Sequence, residues 1–177
     1  MRSLIAVAGL LLTTGGAAAT PAAPCSGQIH PNPGFEQGTS GWTAGPRIVV
    51  LADPARPAHT GRAYATFAGL DVTRTDLLRT SVAVPAGCTL TVGFWARVAS
   101  TETTRGDYLN VGVSADGTPP KTVFSFAFDH PQQWTRHTSV VSGAAADRSA
   151  LVTFYASEAA GGGATTFDVD DVTFTLS

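Results

Sequence analysis

Residues 90–98 read Leu-Thr-Val-Gly-Phe-Trp-Ala-Arg-Val, and this stretch decides the fold class. Apolar residues occupy every second position, as they do in a β-strand that turns one face toward a core. The alternation assigns the side chains at positions 90, 92, 94, 96 and 98 to the core and turns Trp95 and Arg97 to the opposite face. The stretch therefore predicts a half-buried strand that presents an exposed tryptophan beside an arginine.

Similar runs, rich in Val, Thr, Phe and Tyr, recur along the chain between clusters of Gly, Pro, Asn and Asp, and helix signals are nearly absent. The predicted strands cover residues 47–51, 63–67, 76–84, 88–98, 108–114, 122–128, 134–141, 150–157 and 165–176. This number of strands in one domain is typical of two packed sheets. The predicted fold class is therefore all-β, a two-sheet antiparallel β-sandwich.

Two further strands show which side chains face outward. Alternation in the 108–114 strand turns Tyr108 and Asn110 away from the core, and alternation in the 150–157 strand does the same for Tyr155.

In the last strand the apolar positions are odd up to residue 169 and even from residue 172. One extra residue must therefore be absorbed at Asp170-Asp171, most simply by a β-bulge.

The N-terminus has the pattern of a secretory signal peptide. A positive start at Arg2 is followed by an apolar run over residues 4–12 and then by small residues. The run is too short to span a bilayer as a helix. Cleavage is expected after Ala19 or after Ala23. We therefore divide the chain into a signal peptide, residues 1–23, and one domain, residues 24–177, and expect a secreted, extracellular protein.

The charge pattern excludes two classes of partner. The formal net charge is −2, and the basic residues are scattered along the chain. Binding to nucleic acid or to anionic lipid requires a concentrated basic surface, which the sequence does not indicate. We therefore expect no nucleic-acid partner and no membrane partner.

The two cysteines, Cys25 and Cys88, both lie in the exported part of the chain. In an oxidising compartment a disulfide between them is the expected state. A closed loop of that length stabilises a fold by about 4 kcal/mol in the chain-entropy description. A metal site is the weaker alternative, because neither cysteine has partner ligands at a useful spacing.

The side chains that an enzyme would need are not grouped in the sequence. The four histidines lie in separate segments, and no nucleophile elbow, zinc-binding or phosphate-loop motif is present. Hydrolysis of a glycosidic bond needs two carboxylates that face each other across a cleft. The loop and strand-end acids Glu102, Asp107, Asp129 and Glu158 meet that need only if two of them converge in space. We therefore expect a protein that is not an enzyme.

Several short motifs, in a fixed order, resemble one protein family. They are Asn32-Pro-Gly-Phe-Glu36, Gly41-Trp42, His59-Thr-Gly-Arg-Ala-Tyr64, the 90–98 strand, Trp134 and Phe167-Asp-Val-Asp-Asp-Val172. Together they resemble the carbohydrate-binding modules of the galactose-binding-like jelly roll, families four, nine, sixteen and twenty-two. The resemblance spans nearly the whole domain. It implies a jelly-roll sandwich that binds carbohydrate without catalysis. Trp42 and Trp134 are interpreted as aromatic residues that seal the core.

The resemblance also implies a structural Ca2+ between the first and last strands. Glu36 and Asp170 would supply side-chain oxygens, and Gly34 and Arg62 would supply backbone carbonyl oxygens. Ca2+ accepts such mixed sets of oxygen ligands. The alternative is that Glu36 is a surface turn residue and Asp170-Asp171 a solvated bulge.

Sugar recognition in such modules relies on an aromatic ring that stacks on the apolar face of a pyranose. Trp95 is the expected platform, and Arg97 would supply planar hydrogen-bond donors beside it. The other expected carbohydrate-binding residues are Tyr108, Asn110 and Tyr155, if the strand order brings them to the same face. The alternative for Trp95 is that a loop such as residues 100–107 shields it.

The expected function is therefore that of a secreted, non-catalytic protein that binds a polysaccharide or oligosaccharide on an exposed aromatic face of one sheet. The sequence does not choose the glycan. The alternative is an extracellular or cell-envelope interaction or structural module whose partner is another secreted protein. This alternative gains weight because the chain carries no catalytic domain for a binding module to serve.

Overall fold

The protein is described by a computed structural model that covers residues 25–103, 106–115, 119–141, 143 and 146–177. The expected signal peptide lies outside these residues. The described chain forms β1 (Gly27–Gln28), β2 (Thr43–Ala44), β3 (Val49–Leu51), β4 (Ala63–Ala68), β5 (Arg74–Val84), β6 (Leu90–Ser100), β7 (Tyr108–Ala115), β8 (Lys121–Phe126), β9 (Thr135–Val141), β10 (Arg148–Glu158) and β11 (Thr165–Leu176). Within these ranges no helix is long and apolar enough to cross a membrane.

The strands form two antiparallel sheets. Sheet A has the order β3-β4-β11-β6-β9, and β1 also pairs with β11. Sheet B has the order β2-β5-β10-β7-β8. Two such sheets, each apolar on its inner face, make the predicted antiparallel sandwich. All nine predicted strands are present, and the two additional ones, β1 and β2, are two residues long.

Large aromatic side chains fill the space between the sheets. The fully buried ones are Phe35, Phe67, Phe94, Phe154, Phe167 and Phe174. Phe94 of sheet A meets Phe154 of sheet B edge to face, with ring centroids 5.3 Å apart. Trp42 is buried among them, and its indole Nε1 donates a hydrogen bond to the carbonyl of Asn32 at 3.0 Å. Trp42 therefore seals the core as expected.

The alternation seen in the sequence is reproduced in β6. Its side chains at positions 90, 92, 94, 96 and 98 are all buried, and Trp95 and Arg97 lie on the outer face of sheet A. The predicted bulge in β11 is also present. The pairing with β6 shifts between Asp170 and Thr173, and Asp171 has φ 48°. Aspartate tolerates this left-handed region better than most residues.

Cys25 and Cys88 form the expected disulfide, with their Cα atoms 5.3 Å apart. Cys88 is completely buried at the entry to β6. Just beyond it, the backbones of Thr89 and Ser177 exchange two hydrogen bonds of 2.8 and 3.0 Å. The disulfide therefore fastens the beginning of the described chain to the place where β6 and β11 meet.

Candidate functional site

The expected carbohydrate-binding residues lie on opposite sides of the sandwich. Trp95 and Arg97 belong to β6 and face outward from sheet A. Tyr108 and Asn110 belong to β7 and Tyr155 to β10, and both strands are in sheet B. The expectation of one shared patch is therefore wrong. Alternation assigns each side chain to an inner or outer face, but it does not say which sheet a strand joins.

The sequence predicts an exposed Trp95, but in the structure Trp95 is half-buried. The imidazole of His59 stacks on the indole, with centroids 3.9 Å apart and planes inclined by 18°. His59 is fixed in turn, because its Nδ1 lies 2.6 Å from Asp171 Oδ2. The alternative that a loop shields Trp95 is therefore the correct one, and the shielding residue comes from the 52–62 loop between β3 and β4 and not from the loop named as the example, residues 100–107.

Arg97 takes part in a buried charge network. Its Nε donates to Asp168 Oδ2 at 2.8 Å, and Nη2 of Arg56 donates to both oxygens of Asp168 at 2.7 Å. Asp168 is only 2% exposed. The Arg97 guanidinium also lies 4.4 Å from the ring centroid of Trp134, a cation–π contact. Trp134 therefore packs on the outer face of sheet A, and its interpretation as a core residue is wrong.

Two of the four expected calcium ligands, Glu36 and Asp170, bind the backbone of one short segment, residues 59–63, which contains a third, Arg62. Asp170 Oδ2 accepts hydrogen bonds from the backbone N–H groups of His59 and Thr60 at 2.9 and 3.2 Å. Glu36 Oε1 accepts from the N–H groups of Arg62 and Ala63 at 2.8 and 2.9 Å. The two carboxylates therefore hold this segment at its beginning and at its end.

Asp170 is the most buried of these groups. It has no exposed surface, and burial raises the pKa of its carboxyl to about 6. A Cβ on Gly34 would lie 3.8 Å from Asp170 Oδ1, so the backbone of Gly34 passes close to this carboxylate. Ca2+ accepts carboxylate oxygens as ligands. Among the described residues no group of three or more His, Cys, Asp or Glu side chains could hold a metal ion, so a cation bound at Asp170 would need backbone carbonyl oxygens as further ligands.

The outer face of sheet B carries a pair of tyrosines. The rings of Tyr108 and Tyr155 lie 6.2 Å apart and are inclined by 41°. In the strand register Tyr155 is flanked by Asn110 of β7 and by Leu77 of β5, and the next outward residue of β5 is Arg79. We call the surface formed by Leu77, Arg79, Tyr108, Asn110 and Tyr155 the tyrosine face. Its aromatic rings lie beside amide and guanidinium groups.

The strand-end acids converge only in part. Asp107 accepts from the N–H groups of Ala159 and Thr165 at 2.8 and 3.0 Å, and Glu102 Oε2 accepts from the Thr165 hydroxyl at 2.7 Å. Glu158 is buried as well, and it accepts from the Asp71 N–H at 2.6 Å. Because these carboxylates are buried and bound to backbone or hydroxyl donors, they organise loops and do not face each other across a cleft. Asp129 is exposed at a separate turn.

No protein-family model matches the chain, and no curated protein matches it. Solved structures do match. A family 61 carbohydrate-binding module in complex with β-1,4-galactotriose is 26% identical, with a TM-score of 0.63 over 83% of this chain and 97% of the other. A family 16 carbohydrate-binding module is 18% identical, with a TM-score of 0.58 over 82% and 98%. The family 22 xylan-binding domain of Paenibacillus barcinonensis Xyn10C is 18% identical, with a TM-score of 0.52 over 88% and 97%.

The same architecture also occurs in an enzyme. A cyclase from Fischerella sp. TAU is 12% identical, with a TM-score of 0.59 over 85% of this chain and 97% of the other. The fold alone therefore does not assign a function. The similarity to the family 61 module extends over nearly the whole described chain and agrees with the motif order in the sequence. The chain thus has the jelly-roll β-sandwich of the carbohydrate-binding modules, and the resemblance noted in its sequence is confirmed.

Proposed function

We propose that the protein is a secreted, non-catalytic carbohydrate-binding protein that holds a polysaccharide or oligosaccharide on the tyrosine face of sheet B. The observation that carries the proposal is the pairing of the exposed Tyr155 with the half-buried Tyr108 on the outer face of sheet B. Tyr155 is 37% exposed, whereas Trp95 on the opposite face is covered by His59. An uncovered aromatic ring offers a rigid apolar surface to the apolar face of a sugar ring.

Polar groups on the tyrosine face support the same ligand class. Within the described part of the chain, the side chains of Asn110 and Arg79 have no hydrogen-bond or ion-pair partner of their own. An amide and a guanidinium next to an aromatic pair match the alternating hydroxyls and C–H groups of a pyranose. The disulfide agrees with an extracellular location. Trp95 and Arg97 are not part of this proposed site, because the His59 ring covers Trp95 and the Arg97 guanidinium is bound to Asp168.

Replacement of Tyr155 by alanine tests the proposed site. We expect Tyr155→Ala to weaken retention on a neutral β-1,4-galactan by at least about 10-fold in affinity electrophoresis, since central aromatic residues of an interface often contribute on the order of 2 kcal/mol. The thermal midpoint should stay close to that of the unmodified protein, because an outward side chain leaves no core cavity. Tyr155→Phe should retain most of the binding. Leu51→Ala, at a residue 79% exposed, is the matched control.

Two results would contradict this assignment. If Trp95→Ala folds normally and loses binding while Tyr155→Ala keeps it, the sugar site lies on sheet A. If the unmodified protein shows no retention on galactan, xylan or β-glucan, the tyrosine face is not a sugar site, and an interface for another secreted protein replaces it in the proposal.

We further propose that a structural Ca2+ is held by the carboxylates of Glu36 and Asp170 and by the backbone carbonyls of Gly34 and Arg62. The burial of Asp170 supports this, because an ionised carboxylate without solvent gains most from a nearby cation. The common attachment of the 59–63 segment to both carboxylates supports it as well. The ion would stabilise the segment that carries His59 over Trp95.

The calcium effect should depend on pH. Because the folded-state pKa of Asp170 is raised to about 6, the metal-free protein loses stability as pH rises through 6, where this buried group ionises. Calcium must displace the proton at lower pH, so saturating CaCl2 should raise the thermal midpoint clearly at pH 7.5 and much less at pH 5. Differential scanning calorimetry measures both shifts. Asp170→Asn should abolish the difference between the calcium-induced shifts at the two pH values. If removal of calcium with a chelator leaves the thermal midpoint at pH 7.5 unchanged, the proposed calcium site is contradicted.

A further inference from the structure

A polar cavity lies at the β3–β4 edge of sheet A, away from the tyrosine face. Its volume is about 260 Å3, and its lining includes Arg47, Arg56, Arg74, Thr66, Thr166 and Leu70. We call it the arginine pocket. It brings together three guanidinium groups from separate segments of the chain.

Carboxylates accompany two of the three pocket arginines. Asp76 lines the pocket; one of its oxygens binds the Arg74 guanidinium and the other accepts the Ala68 N–H at 2.7 Å. Asp168 binds Arg56 and is shared with Arg97.

Two further carboxylates lie close by. The charge of Asp53 acts on Arg56, and Glu158 accepts the N–H of the pocket residue Leu70. The pocket is therefore not strongly positive as a whole, and what it offers a ligand is the guanidinium donors that these carboxylates leave free.

The same carboxylates hold two of the arginines in place. Asp168 and Asp76 are both buried, and each contacts its pocket arginine, Arg56 or Arg74, through Nη2. The Nε and Nη1 donors of these two guanidiniums have no partner of their own among the described residues. Arginine presents its donors as a rigid planar fork that suits carboxylate and sulfate oxygens. The pocket thus offers donors whose positions are fixed before any ligand arrives.

Arg47 is the third member and the most informative one. It follows Pro46 in a turn and has φ 67°, a conformation that favours glycine. Its guanidinium makes no hydrogen bond or ion pair with the described residues. Arg47 is also exposed, so its guanidinium is free to contact a ligand at the mouth of the pocket.

We propose that the arginine pocket binds an oxyanion carried by an acidic polysaccharide, either the carboxylate of a uronic acid or a sulfate ester. The volume is below the roughly 300–1,000 Å3 of drug-sized ligand sites and suits a single sugar ring. The hydroxyls of Thr66 and Thr166 and the apolar Leu70 provide contacts for such a ring. The choice of a polysaccharide as the carrier rests on the proposed function, whereas the anion site itself stands on the arginines.

The test uses affinity electrophoresis of the whole protein in gels that contain polygalacturonate, dextran sulfate or neutral β-1,4-galactan. We expect retention on at least one acidic polymer that falls as salt is raised, because screening weakens contacts between exposed charges. Arg47→Gly should reduce this retention at least about 5-fold, since it removes one of three anion-binding groups. Its thermal midpoint should be unchanged or higher, because glycine is favoured at this φ.

Arg136→Ala is the matched control, because it removes the same charge from an exposed residue of β9 elsewhere on sheet A. It should leave retention on the acidic polymers unchanged. Retention on polygalacturonate alone assigns a carboxylate, and retention on dextran sulfate alone assigns a sulfate ester. Three results would overturn the proposal: no retention on either acidic polymer, full retention by Arg47→Gly, or an equal loss in Arg136→Ala.

The test of the arginine pocket and the test of the tyrosine face give results that can be told apart. Tyr155→Ala should lose retention on neutral galactan and keep retention on the acidic polymer, and Arg47→Gly should do the reverse. If galactan is never retained but the acidic polymer is retained through Arg47, the tyrosine-face proposal fails and the anion site stands.

Discussion

Replacement of Asp168 by alanine should destabilise the protein by about 3–5 kcal/mol, the range for breaking a buried ion pair from one side. The carboxylate is 2% exposed and accepts hydrogen bonds from Arg97 at 2.8 Å and from Arg56 at 2.7 Å. Its removal leaves the Arg97 guanidinium, whose side chain is only 12% exposed, without a counter-charge. The contact of Arg97 with Trp134 would be disturbed at the same time.

Urea unfolding, followed by tryptophan fluorescence, measures this loss. Asp129→Ala is the matched control, because Asp129 is 69% exposed and its side chain contacts, among the residues that the structure describes, only His130 at 3.2 Å. We expect it to change the unfolding free energy by less than about 0.5 kcal/mol. A cost below about 1 kcal/mol for Asp168→Ala would show that the two arginines do not depend on this carboxylate.

Loss of the Cys25–Cys88 disulfide should lower the unfolding free energy by about 4 kcal/mol. The two cysteines are separated by 63 residues, so the bond restricts a long loop in the unfolded chain. It also fastens the chain beside the meeting point of β6 and β11, where Thr89 and Ser177 are hydrogen-bonded. Without it, β1 would be attached to the sandwich by its two-residue pairing with β11 and by the hydrogen bonds of the Gln28 side chain with Val172 and Phe174.

The measurement compares urea midpoints of the oxidised protein, the reduced protein and the double variant Cys25→Ala/Cys88→Ala. The reduced protein and the variant should agree with each other, since both lack the bond. Because Cys88 is buried, any extra loss in the variant reports the missing sulfur packing. Equal midpoints for oxidised and reduced protein would mean that the bond contributes nothing to stability.

The parts of the fold that depend on local geometry were predictable from sequence. The two faces of β6 follow from the alternation of apolar and other residues along the strand itself, and the strand alone is long enough to show that period of two. The bulge in β11 follows from a change of parity at Asp170, which is equally local. The disulfide follows from the presence of only two cysteines.

Strand order was not predictable in this way. Whether β6, β7 and β10 share a sheet depends on pairings between residues far apart in sequence, and alternation carries no information about them. The same limit explains Trp95. Its partner His59 comes from a loop between β3 and β4 that no pattern in β6 indicates. An outward-facing side chain was therefore mistaken for an exposed one.

The arginine pocket shows a third kind of limit. Arg47 and Arg56 lie in two different connections of the chain, Arg74 begins β5, and the three have no common spacing. The one available signal was the arginine after Pro46, at a turn position where glycine is usual. A single signal of that kind indicates strain, and only the assembled sandwich shows what surrounds it.

The position of β11 has a consequence for the order in which the two sheets can form on the ribosome. Every described strand of sheet B has been synthesised once the chain reaches Glu158, but β11, at the centre of sheet A, is synthesised after all of them. Until β11 has emerged, β4 and β6 lack the neighbour that joins them. Sheet B can therefore begin to pair before sheet A is closed.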